Sequence, residues 1–65
     1  MNGLQDIRTR LEMITAATDR AWRKKVHAIN AGDIASAEYW NDRINLYRAE
    51  RNGILKTLEA LQIAI

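Results

Sequence analysis

The sequence predicts an all-α fold, an antiparallel two-helix hairpin of the coiled-coil kind that is expected to self-associate into a helical bundle. Apolar residues recur at helical spacing on both sides of a single turn signal. There is no proline in the 65 residues, and the two periodic segments are of nearly equal length. Equal helices joined by a short turn pack antiparallel, each covering the other's apolar stripe. The chain is read as one domain, with a helix over 4–30, a turn over 30–33 and a helix over 34–62.

In the first helix, Leu4, Ile7, Leu11, Ile14, Trp22, Val26 and Ile29, with Thr18 between them, fall within roughly 120° of a wheel turning ~100° per residue. A strict heptad would pass from Ile14 through Thr18 to Ala21 and Lys25. The bulky apolar residues move instead to Trp22 and Val26, which reads as a stutter that would locally unwind a supercoil. Asp6, Arg10, Arg20, Lys24 and His27 occupy the other face. Asp6–Arg10 and Asp19–Arg23 are i,i+4 pairs with the acid first, each worth about 0.2–0.5 kcal/mol.

Asn30-Ala31-Gly32-Asp33 is the turn. Gly32 suits the left-handed position after a helix end, and Asp33 is a favoured N-cap for the next helix. Ser36, the sole serine, falls in that helix's first turn, where it supports the cap. The segment Gly32-Asp33-Ile34-Ala35-Ser36-Ala37 resembles the turn between the two helices of a tetratricopeptide repeat. No second copy follows at that family's period, so an array is excluded.

The second helix carries a more regular a/d ladder: Ala37, Trp40, Ile44, Tyr47, Arg51, Ile54, Leu58, Leu61 and Ile65. Asn52-Gly53 is a turn dipeptide elsewhere. The ladder keeps its phase across it, which favours one continuous helix over a break there. Arg51 alone interrupts the apolar run. A charge at such a position extends to solvent, pairs with a carboxylate, or fixes register in an assembly.

Two helices cannot enclose both sides of stripes this broad, and a chain so short needs further burial or a staple. It has no cysteine to supply one. Pairing with a second copy is therefore expected, through Trp22, Trp40, Ile44, Tyr47, Arg51, Ile54, Leu58 and Leu61. A second row on the later helix, Tyr39, Leu46, Gly53 and Ala60, repeats every seven residues away from the seam. With Leu55 and Ile63 it forms a surface for a larger protein partner. Tyr39, Leu46, Gly53 and Ile63 are its candidate contacts.

Enzymatic classes find little support. His27 is the one histidine, it lies on the polar face, and no carboxylate pair sits on an apolar face for acid–base work. No Cys/His ligand spacing and no glycine-rich phosphate loop occurs. No catalytic residue, metal site or cofactor is expected. The densest charge is Arg20-Ala21-Trp22-Arg23-Lys24-Lys25-Val26-His27. Arg20, Arg23, Lys24, Lys25 and His27 are candidate nucleic-acid contacts, since cations grip phosphate while an aromatic stacks on a base. The overall charge of +2 is too mild to demand that reading.

The first residues lack a basic segment followed by an apolar run, so no signal peptide is expected, and the apolar tail is too short for a membrane span. An intracellular, cytoplasmic setting is the default, without membrane binding. The expected role is a non-enzymatic protein–protein interaction module, a self-associating hairpin of the sort found among phage and mobile-element accessories, inhibitors and particle components. The alternative is a regulator that binds RNA or DNA. In length, in the place of its turn and in its expected four-helix dimer, the chain resembles the Rop family of plasmid RNA-binding hairpins. The stutter departs from that family's regular heptads, and no site residues are carried over from it.

Overall fold

A computed structural model describes residues 3–63 as two helices, α1 (Gly3–Asn30) and α2 (Ile34–Ile63), packed antiparallel against each other. No strand occurs among the described residues. Ile65 and the side chain of Ile63 lie outside them.

The helix ends are set locally. Gly32 has a φ of +73°, the left-handed region where a side chain would be strained. Its N–H donates to the Ile29 carbonyl at 3.0 Å, and the Asp33 N–H donates to the Ala28 carbonyl at 2.9 Å. This 5→2 and 6→1 pair is a Schellman motif, which satisfies carbonyls that the end of α1 would leave free. The Ala37 N–H then donates to the Asp33 carbonyl at 3.0 Å, starting α2. The Ser36 N–H donates to Asp33 Oδ1 at 3.1 Å, the N-cap that the sequence predicts.

Hydrogen bonds from the Ser36 side chain and backbone hold the Asp33 carboxyl below its ordinary value of 3.8. A carboxyl lowered in the folded state stabilises the fold above its unfolded pKa, and that contribution is lost as pH falls through the folded pKa. Asn caps as well as Asp does but does not titrate. Thermal melts of wild type and Asp33→Asn are expected to agree near neutrality, with the wild type falling below the variant under about pH 4. Parallel curves down to low pH would show that the charge on Asp33 adds nothing to the cap.

The core is narrow. Ile14, Ala21 and Ala28 on α1 and Ile44 on α2 are the buried hydrophobic residues among those described, with Ala21 and Ile44 each only 1% exposed. The three α1 residues are spaced by seven, so the heptad continues without a stutter. This corrects the phase expected from the bulky side chains. Alanine at two successive core positions lets the helices approach closely, and the large residues cannot share that line. Trp22, Val26 and Ile29 are consequently displaced to one side, 38%, 48% and 55% exposed. Lys25 is tolerated beside the seam because its stem extends along it and Nζ donates to Asn41 Oδ1 at 3.0 Å. That bond also fixes the register.

The α2 ladder holds from Ala37 to Leu58, apart from the exposed Arg51, with Trp40, Tyr47, Ile54 and Leu58 half-buried on either side of Ile44, whereas Leu61 is exposed. Asn52-Gly53 does not break the helix. A Cβ at Gly53 would meet nothing within 4 Å, so the glycine is not there to admit the other helix. Helical threonines satisfy their hydroxyls along their own helix: Thr15 Oγ1 donates to the Leu11 carbonyl at 2.8 Å and Thr18 Oγ1 to that of Ile14 at 2.7 Å. Asp19–Arg23 forms its ion pair at 3.0 Å. It is the one ion pair within 4.0 Å among the described residues, so the expected Asp6–Arg10 pair is not made. Both Asp19 and Arg23 are largely exposed, and such pairs add little stability.

Candidate functional site

A single layer of two helices has two open flanks along its seam, and here they differ in chemistry. On the first flank, one groove near the turn is lined by Lys25, Ile29, Ile34, Ala37, Glu38, Asn41 and Asp42. A second groove farther along is lined by Thr15, Thr18, Asp19, Trp22, Arg48 and Arg51. Trp22 joins them: Lys25 Nζ lies 4.5 Å from its ring centroid and Arg48 Cζ 5.7 Å from it. The charges balance, with Lys25, Arg48 and Arg51 against Asp19, Glu38 and Asp42. The apolar content of this flank is high and uncovered, Ile34 being 72% exposed beside Trp22, Val26 and Ile29.

The second flank is basic. Its grooves bring together Arg10, Arg20, Arg23 and Lys24 against Glu50 and Asp33, with His27, Ser36 and Trp40 at the turn end. Lys24 Nζ sits 5.2 Å from the Trp40 ring centroid. Trp40 meets Tyr39 edge to face at 4.9 Å and 81°. Arg43 Cζ lies 6.0 Å from the Tyr39 ring and 5.5 Å from that of Tyr47. These contacts form a continuous cation–aromatic chain. Across both flanks there are five cation–aromatic pairs among the described residues, where about one per 70–80 residues is usual. All the tryptophans and tyrosines are therefore held in place by cations.

The basic segment of α1 is divided between the flanks. Arg20, Arg23, Lys24 and His27 follow the second flank, whereas Lys25 and Trp22 turn to the first. The helical advance of ~100° per residue makes that division unavoidable for adjacent residues. Among the residues expected to mediate self-association, Ile44 is already buried within one hairpin, and Trp40, Tyr47, Ile54 and Leu58 are half-covered by α1. Leu61 and Trp22 remain 38% exposed. Arg51 is exposed and borders the groove beneath Trp22, with its head reaching solvent.

Tyr39 and Leu46 project from the outer surface of α2, and Gly53 continues their row with open space above it. The flank lined by Trp22, Ile29 and Ile34 was not legible as an open surface, because their spacing places the first two on the stripe that α2 should cover. The spacing of Ile14, Ala21 and Ala28 is the signal that locates it.

Among the described residues no group of three or more His, Cys, Asp or Glu side chains could hold a metal ion, and no helix is long and apolar enough to cross a membrane. Compared with protein-family models, with curated proteins and with solved structures, the chain gives no match.

Proposed function

We propose that this chain is a non-enzymatic protein–protein interaction module, a helical hairpin that associates with its own kind and holds a larger protein partner on its remaining surface. The observation that carries this reading is the area left uncovered. The chain exposes 5134 Å². A compact monomer of 7.5 kDa exposes about 4,250 Å². The excess, roughly 900 Å², is surface that a single layer of two helices leaves open. The shape agrees: the radius of gyration is 15.0 Å, where a compact chain of this length has about 11 Å.

Sedimentation equilibrium at micromolar concentration tests it. A dimer or larger species with strongly helical circular dichroism is expected. A stable, well-folded monomer would overturn the self-association half of the proposal.

A second reading, a nucleic-acid-binding regulator, is favoured by the cation–aromatic chain on the basic flank. Aromatic faces beside cations are what single strands use for stacking and phosphate contact. The protein-interaction reading ranks first because Glu50 and Asp33 dilute that flank.

A further inference from the structure

We infer that the first flank is the seam between two copies of this chain, related by a two-fold axis parallel to the helices, so that both turns lie at the same end. This geometry rests on the self-association proposed above and specifies its surface and orientation.

Two features select the flank. Trp22 and Ile29 stand seven residues apart on α1 and line its two grooves, and Ile34 continues their apolar surface across the turn, all three exposed. The grooves beside them carry equal numbers of formal cations and anions, so two copies can meet there without net repulsion. The other flank carries an excess of cations and would repel its own copy.

Charge registry selects the orientation. A face-to-face pair of two-helix layers has two closed arrangements. With the turns at the same end, α1 of one copy runs antiparallel over α2 of the other, at the level set by the Lys25–Asn41 bond. Lys25 then falls between Glu38 and Asp42 of the second copy, and Asp19 comes level with its Arg48. The isoleucines beside the two turns gather into one cluster at that end. With the turns at opposite ends, each helix lies on its own counterpart. That arrangement lays Trp22 near Leu11 of the second copy, but it sets Arg48 against Arg51 and Lys25 against Arg8. Like charges facing within a contact oppose it, whereas the first arrangement brings Lys25 and Asp19 to opposite charges.

The absence of cysteine from the sequence allows a single spin label to be placed without background. With Ala31→Cys labelled at the exposed turn, pulsed electron paramagnetic resonance should give a separation of about 10–20 Å, one to two interhelical spacings. Opposite-end packing would give about 40 Å, the length of a helix. In parallel, Ile29→Asp/Ile34→Asp changes two exposed side chains and should raise the dimer dissociation constant at least a hundredfold, with the helical spectrum of the hairpin retained. A long label separation, or a dimer unaffected by the two aspartates, overturns this inference while leaving the proposed function standing. A monomeric wild type overturns both. The label measurement stands by itself if the double variant does not fold.

Discussion

Replacing Ile44 by alanine is expected to remove about half of the stability of this chain. Ile44 is the one large side chain less than 2% exposed among the described residues. Truncating a buried isoleucine to alanine costs about 2–5 kcal/mol, the upper end applying where the surroundings cannot collapse into the space. Two long helices pinned by a Schellman turn and by the Lys25–Asn41 bond have little freedom to close that gap. Natural domains carry roughly 0.05–0.15 kcal/mol per residue, about 3–10 kcal/mol for a chain of this size. The midpoint of thermal unfolding, followed by circular dichroism at one fixed protein concentration, should fall by about 10 °C or more. Leu46→Ala, at a residue 54% exposed, should move it by a few degrees at most. A loss at Ile44 no larger than at Leu46 would mean that the seam between α1 and α2 is not what holds the fold.

The parts of this architecture that depend on neighbouring residues could be read from the sequence. Gly32 and Asp33 fix the turn through their own backbone and cap preferences, and both act as expected. The α2 ladder crosses Asn52-Gly53 because seven-residue spacing on both sides outweighs one glycine, whose cost in a helix is about 1 kcal/mol. The phase of α1 was hidden for a physical reason. Ranked by hydrophobicity, Trp22 and Val26 outweigh Ala21 and Ala28, but the interhelical distance is a tertiary quantity that no single helix encodes. Once Ala21 and Ala28 form the contact line, the larger residues have to move aside.

The same displacement governs the candidate surfaces. The segment Arg20 to His27 reads as one basic cluster along the chain, yet Lys24 covers Trp40 while Lys25 covers Trp22 on the opposite flank. The partners on α2 decide which cation belongs to which surface. Arg51 holds a seam position by register, and its exposure follows from the length of its side chain, which carries the guanidinium clear of the apolar line.

Two pairs of substitutions distinguish the proposed partner classes, and their expected effects on binding are large. Tyr39 is 53% exposed, and its ring is fixed by edge-to-face contact with Trp40 and by the Arg43 guanidinium. A rigid, exposed aromatic is the usual energetic anchor of a protein interface, with truncation often costing 2 kcal/mol or more, a factor of about 30. Tyr39→Ala and Leu46→Ala are therefore expected to weaken capture of a protein partner by at least that factor. Self-association should persist, since both side chains lie away from the first flank. Arg23→Gln/Lys24→Gln should change such capture little. For a nucleic-acid partner Leu46→Ala would change little, while affinity would fall steeply with salt and the double glutamine variant would reduce the slope by about one unit for each cation removed. Folding should survive that change, because both cations are exposed and the Asp19–Arg23 pair lies at the surface. The first pattern is expected on the charge arithmetic of the second flank, where four formal cations are set against two acids rather than concentrated as a uniform stripe. Submicromolar, salt-sensitive binding of RNA or DNA near physiological ionic strength, lost in the Arg23→Gln/Lys24→Gln variant, would transfer the function to the cation–aromatic chain of Lys24, Trp40, Tyr39 and Arg43.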